Sequence, residues 1–244
     1  MTYLLLAFAT LGTSLISGVL SMAGGMILMG VFGFFLSVPA AMVLHGVAQT
    51  VSNGSRVWLH REHLRWGVLI PYSLGSFTIL LLFVLVTFVP DKALLFILIG
   101  SFPFLALLLP KRINLDMQHK PVAFISGLTV TTAQMLAGAS GPVLDIFYVK
   151  SSLTRYEILG TKAITQTLGH IIKLVYYAFF LDLTIDLPLW IYPAIVIAAV
   201  LGNWMGKFVI AKVNDELFKR VGRYAIMIVG FVYIMKGVSE LGVI

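Results

Sequence analysis

Long apolar runs separated by short polar stretches follow one another along the whole chain. A bilayer core about 30 Å thick needs roughly 20 apolar residues for one helical crossing. The runs from Trp66 to Pro90, from Pro121 to Leu144 and from Leu187 to Gly206 reach this length without any Asp, Glu, Lys or Arg. The pattern predicts an all-α integral membrane protein whose apolar segments lie at residues 3–36, 39–58, 66–89, 92–109, 121–152, 156–180, 188–210 and 219–238.

The first and fifth segments are too long for one simple crossing, and each contains a glycine-rich interruption. The interruptions are SMAGG at 21–25 and GASGP at 138–142. Glycine allows a tight backbone turn, and proline is preorganised for the first turn of a new helix. We therefore predict two broken-helix hairpins. The return arm of the second hairpin, 142–152, would be about 16 Å long as a helix.

The basic residues predict how these segments are oriented. They form four clusters: Arg56/Arg61/Arg65, Lys111/Arg112/Lys120, Lys150/Arg155 and Lys207/Lys212/Lys219/Arg220/Arg223. The positive-inside rule places these clusters in the cytoplasm. Loops 59–65, 110–120 and 211–218 are then cytoplasmic and both termini periplasmic. Each hairpin is followed by three full crossings, so the two halves should have opposite orientations in the membrane.

Comparison of the chain with itself supports two repeats. A shift of 117 residues aligns Gly141 with Gly24 and Gln166 with Gln49, and a later shift of 124 aligns Trp190 with Trp66. We predict a first inverted repeat at 1–110 (hairpin 3–36; helices 39–58, 66–89 and 92–109) and a cytoplasmic linker at 111–120. The second repeat is then 121–244 (hairpin 121–152; helices 156–180, 188–210 and 219–238). Inverted repeats with broken helices are typical of transporters that bind substrate near the midplane.

The two hairpin tips are candidate anion sites. A helix start leaves backbone N–H groups unpaired and has a partial positive charge, so it attracts an anion. The residues concerned are Gly24, Gly25, Ser140, Gly141 and Pro142. The alternative is that the glycines only permit close packing of helices.

Polar side chains at helical spacing mark one face of each helix that follows a hairpin. They are His45, Gln49, Asn53 and Arg56 in one helix and Lys162, Gln166, His170 and Lys173 in the other. Polar groups are costly in hydrocarbon, so both faces should point into protein or a wet cavity. We predict Gln49 and Gln166 as ligand contacts, with Asn53, His170 and Lys173 at the same site. Interhelical hydrogen bonding, with Arg56 reaching the membrane surface, is the alternative.

Asp145 is the one acidic residue within the fifth apolar segment. It could form an ion pair with Lys162 or Lys173, or it could carry a coupling proton. We therefore place Asp145 and Lys162 together as candidates for ion pairing or coupling.

Composition excludes several other classes. Of 244 residues, 59% are hydrophobic and 11% are charged, against about 25% charged in soluble domains. The net charge of +7 lies in short clusters, which argues against a nucleic-acid surface. Cysteine is absent, so disulfides and thiolate metal sites are excluded. Without a hydrolase or nucleotide-binding motif, we expect no catalytic residue, cofactor or metal.

The stretches GVLSMAGGMILMG and MLAGASGPVLDIFYV resemble the TauE/SafE family of membrane anion exporters. The resemblance covers nearly the whole chain. It implies export of sulfite or a sulfonate-type organosulfur anion across a bacterial inner membrane, with a site at Gly24, Gly25, Ser140, Gly141 and Pro142. The expected partners are a small organosulfur or inorganic anion and membrane lipid. An anion channel, a non-transporting assembly or sensing subunit, and a homo-oligomer stay open.

Overall fold

The structure is a computed structural model that describes residues 1–20, 23–108, 115–149, 151–181, 185–210 and 215–242. Every regular element in these ranges is helical, in agreement with the predicted all-α class. The helices are α1 (Thr2–Leu20), α2 (Ala23–Phe35), α3 (Val38–Leu59), α4 (Trp66–Val86), α5 (Lys92–Leu108), α6 (Lys120–Ala137), α7 (Gly141–Ile146), α8 (Arg155–Val175), α9 (Ile191–Ile210) and α10 (Asp215–Glu240). Parts of the predicted breaks and basic clusters lie outside the described residues, namely Ser21, Met22, Lys111, Arg112, Lys150 and Lys212, and the side chains of Lys207, Lys219, Arg220 and Arg223.

The chain turns back at both glycine-rich stretches. In the first long segment α2 packs against α1, with Gly24 beside the Thr13 carbonyl, and the fifth segment divides into α6 and α7. The return arm of the second hairpin is shorter than predicted, because α7 ends at Ile146 rather than near Ser152. Beyond it the chain tightens into i,i+3 hydrogen bonds, from Phe147 N–H to the Leu144 carbonyl (3.1 Å) and from Tyr148 N–H to the Asp145 carbonyl (2.9 Å).

Local sequence explains the ends of the helices beside the second break. Gly138 ends α6 in the left-handed conformation (φ 74°), and its N–H donates to the Gln134 carbonyl. This conformation favours glycine over residues with a Cβ. At the start of α8, Thr154 and Glu157 form a capping box in which each side chain bonds the other residue's backbone N–H. The capping box fixes the first turn of α8.

The helices pack in pairs that each join the two halves of the chain. These pairs are α1 with α9, α4 with α6, α5 with α10 and α3 with α8. Glycine lets the backbones approach closely in three of them. A Cβ on Gly75 would collide with the backbone of α6, one on Gly100 with the backbone of α10, and one on Gly202 with the backbone of α1. Small residues at helix contacts are typical of membrane bundles.

The connection between α3 and α4, which contains a short 3₁₀ turn (Arg61–His63), lies against the start of α8. Arg65 forms an ion pair with Glu157, and its backbone N–H donates to the Thr161 hydroxyl (3.2 Å). The rings of His63 and Tyr156 stack with their centroids 5.4 Å apart. These contacts hold the turn of the first half against α8 of the second half.

Polar groups are concentrated inside the bundle, while much of its exterior is apolar. His45 and Lys173 are fully buried, whereas Leu85 is 71% exposed on α4. An exterior of this kind fits hydrocarbon better than water. Among the described residues, Trp66–Val86 is the one helix long and apolar enough by itself to cross a bilayer. Shorter apolar helices occur at Thr2–Ser17, Ala23–Phe35, Lys92–Leu105 and Ile191–Gly206.

Candidate anion site

A small internal cavity lies where the two helix breaks meet α3 and α8. Its volume of about 10 Å³ is room for about one water molecule. It is lined by Ser17, Gly25, Met26, Gln49, Arg56, Ala139, Ser140, Gly141, Gln166 and His170. Six of these were predicted from the sequence as site residues: Gly25, Gln49, Ser140, Gly141, Gln166 and His170. The other four predicted binding residues, Gly24, Asn53, Pro142 and Lys173, do not line the cavity.

The two glycines that begin the first return helix face different neighbours. Gly24 packs against α1, where a Cβ would collide with the Thr13 carbonyl and the Ser17 hydroxyl. Gly25 faces Gln49, whose Oε1 would lie 3.2 Å from a Cβ placed on Gly25. Close helix packing, the alternative considered for the glycines, therefore describes Gly24, while Gly25 belongs to the cavity wall.

The second break places Ser140 and Gly141 opposite this first tip. The buried Ser140 hydroxyl donates to Oε1 of Gln134 on α6 (2.7 Å). Pro142 lies in the first turn of α7, where its missing N–H costs no hydrogen bond. Gln134 thus positions Ser140 in the cavity wall, although it does not line the cavity itself.

Three buried side chains of the cavity wall carry polar atoms without a hydrogen-bond partner. Gln49, Gln166 and His170 are 3%, 7% and 4% exposed. Within the described residues, Gln49 Nε2, Gln166 Oε1 and His170 Nδ1 have no partner. Unpaired buried polar atoms are rare, because each costs about 1–3 kcal/mol. All three residues line the same cavity, so a polar ligand there would give these atoms partners.

Arg56 brings a positive charge to this cavity. It is half-buried near the end of α3, and its guanidinium donates a hydrogen bond to Asn53 Oδ1. Asn53 in turn donates weakly to Gln49 Oε1, at 3.5 Å. Asn53 therefore connects Arg56 to Gln49 and orients both without lining the cavity.

Lys173 lies behind the cavity wall in a chain of hydrogen bonds. Its Nζ donates to the Gly138 carbonyl (2.7 Å) and lies 2.8 Å from His45 Nδ1. Nε2 of His45 lies 2.8 Å from the Gly25 carbonyl. A carbonyl only accepts, so His45 has its proton on Nε2 and accepts from Lys173 at Nδ1. This chain joins the two breaks and is separate from the cavity lining.

Asp145 and Lys162 form an ion pair between α7 and α8. Lys162 is 7% exposed. The pair lies apart from the cavity lining, and Asp145 bonds Lys162 rather than Lys173. Among the described side chains, no group of three His, Asp or Glu residues has the arrangement of a metal site.

Sequence reasoning missed three lining residues, Ser17, Met26 and Ala139. Ser17 could have been found, because it lies seven residues before Gly24 and aligns with Gln134 at the shift of 117 residues. Met26 and Ala139 are apolar neighbours of the breaks and carry no chemical signal.

The comparison with known proteins adds a family. The family model described as Sulfite exporter TauE/SafE matches residues 5–233. No curated protein and no solved structure matches the chain. The chain therefore belongs to the sulfite exporter TauE/SafE family, whose members are membrane anion transporters rather than enzymes.

Proposed function

We propose that the protein is a secondary transporter that exports sulfite or a sulfonate-type organosulfur anion across the inner membrane. The anion would bind between the two helix breaks. The observation that carries this proposal is the cavity in which buried, unpartnered Gln49, Gln166 and His170 atoms converge with Arg56.

The donors around the cavity suit an oxyanion. Sulfite and sulfonate oxygens accept hydrogen bonds and donate none when ionised. Arg56 supplies a charged guanidinium that can donate two parallel hydrogen bonds. The side-chain amides of Gln49 and Gln166 can turn their nitrogen toward the ligand. Backbone N–H groups in the first turn of α2, near Gly25, add donors at the positive end of a 13-residue helix. Gly24, Ser140, Gly141 and Pro142 set the shape of the two tips.

The cavity is too small for such an anion as it stands. A group with three oxygens is larger than one water molecule, so binding requires the wall to separate. The wall is built from separate helices, with Ser17 on α1, Gly25 on α2 and Gly141 on α7. Separation at the breaks would thus open the site to one side of the membrane at a time, as alternating access requires.

We further propose that residues 1–110 and 121–244 are inverted repeats joined by the linker 111–120. The helix pairs support this. A pseudo-twofold axis that exchanges the halves turns the α1/α9 pair into the α6/α4 pair, and both pairs are present. The same axis maps the α3/α8 and α5/α10 pairs onto themselves. By the positive-inside rule both termini would be periplasmic.

Flux measurements in liposomes containing the purified protein test the function. A carrier predicts sulfite flux that saturates with concentration, while liposomes without protein remain tight. Flux that rises linearly with sulfite and carries single-channel currents would favour an anion channel. Absence of flux for sulfite, ethanesulfonate and sulfoacetate would favour a non-transporting assembly or sensing subunit.

A further inference from the structure

A continuous hydrogen-bonded chain connects the two helix breaks behind the anion cavity. It runs from the Gly138 carbonyl to Lys173 Nζ, then through the His45 ring to the Gly25 carbonyl. We refer to Lys173 and His45 as the bridge. Gly25 lines the cavity, and Gly138 directly precedes the lining residue Ala139. Any change in the bridge therefore acts on both sides of the cavity.

The bridge has no acidic partner in the part of the chain that the structure describes. Lys173 is fully buried, and Asp145 is bonded to Lys162. His170 of α8 faces it, with its ring centroid 5.3 Å from that of His45, and Arg56 of α3 acts on His170. Neither is anionic. Helix α2 contains no ionisable residue, and α6 has only Lys120 at its start.

A buried ammonium without a counter-ion is unfavourable, and such a group loses its proton instead. The hydrogen bonds of the bridge can form whether Lys173 is a neutral amine or an ammonium. A neutral amine has two N–H groups, enough to donate to the Gly138 carbonyl and to His45 Nδ1. An ammonium keeps both bonds and gains a third N–H. Protonation therefore changes the charge of the bridge without breaking it.

We propose that Lys173 and His45 form a proton-binding site linked to the anion site. The bridge takes up one proton from solvent when the anion binds and returns it when the anion leaves. This inference rests on the proposed function, because the bound anion supplies the missing counter-charge. A monoanion would then move together with one proton and no net charge.

The linkage has a measurable consequence. Where the empty bridge is neutral, binding of one proton per anion raises the dissociation constant about tenfold for each pH unit. A permanently charged side chain at position 173 would remove this dependence. Arginine is such a side chain, since it stays protonated in proteins.

Calorimetric titration of the full-length protein with sulfite at pH 8, repeated in buffers of different ionisation enthalpy, counts the protons. We expect uptake of about one proton per anion by the wild type. We expect none by Lys173→Arg, with affinity independent of pH, and none by Lys173→Met, with weaker affinity. Free sulfite is mostly the dianion at this pH, so selection of bisulfite would give equal uptake in all three proteins.

The paired variant Asp145→Asn/Lys162→Gln is the matched control, because it neutralises the other buried lysine and its partner together. It should keep the wild-type proton count.

Wild-type binding without proton uptake would overturn the inference and leave the proposed function standing. Unchanged uptake by both Lys173 variants, or its loss in the control, would assign the proton elsewhere. If the wild type binds neither sulfite nor ethanesulfonate, the proposed function fails and takes this inference with it. Because two substitutions are made at position 173, misfolding of one leaves the other to decide.

Discussion

Arg56 shows how a single residue is expected to set the affinity of the site. The Arg56→Gln variant removes the charge of the cavity wall but keeps a polar side chain. Loss of a hydrogen bond to a charged group costs about 1.5–3 kcal/mol, so sulfite affinity should fall roughly ten- to hundredfold. Calorimetric titration measures it. Arg61→Gln is the matched control, since Arg61 lies outside the cavity over the Trp58 ring. Equal affinities for the two variants would remove Arg56 from the site.

At this scale the sequence predicts which helix face is polar, but not where long side chains end. Self-alignment led to Gln49 and Gln166, and both line the cavity. Lys173 lies on the same face of α8 as Gln166, yet its flexible stem turns toward His45 and Gly138. Arg56, which could equally have reached the membrane surface, lines the cavity. Rotamers of this kind depend on partners from distant helices, which a one-dimensional pattern does not contain.

At the scale of elements, the turn between α6 and α7 depends on Gly138. In Gly138→Ala, the left-handed backbone and a collision with Met29 should cost about 1–3 kcal/mol. A lower melting temperature of the purified protein would report this. Gly12→Ala is the control, because a Cβ there meets nothing within 4 Å and alanine favours helix by about 1 kcal/mol. If Gly138→Ala melts no lower than the wild type and Gly12→Ala, the turn does not need glycine.

The positions of the two breaks could be predicted because glycine and proline act locally on the backbone. The length of α7 could not. Apart from Asp145 its segment stays apolar to Val149, so hydrophobicity gives no signal for an end at Ile146. The end of α7 depends on contacts with other helices, including the ion pair from Asp145 to Lys162 on α8. The glycine- and proline-rich sequence thus predicts a helix end at 138–142, but the apolar pattern overestimates the length of the helix that follows.

At the scale of the whole molecule, the orientation in the membrane is open to a direct test. The chain has no cysteine, so one introduced cysteine is a unique label. In intact spheroplasts, a membrane-impermeant maleimide should react with Ser239→Cys, near the C-terminus that we propose to be periplasmic. It should react with Glu62→Cys, in the basic turn that we propose to be cytoplasmic, only after permeabilisation. The cysteine-free parent controls for background. The opposite pattern would reverse the topology.

The central claim is that the anion binds between the two breaks, against Gln49 and Gln166. Calorimetric titration of sulfite into the Gln49→Leu/Gln166→Leu variant tests it most directly, because leucine keeps similar bulk and removes both amides. Two lost hydrogen bonds to a charged ligand predict affinity weaker by about a hundredfold or more. The control is Gln118→Leu, the same change at an exposed glutamine bonded to Ser152, which should bind like the wild type. A folded double variant with wild-type affinity would contradict the proposed site.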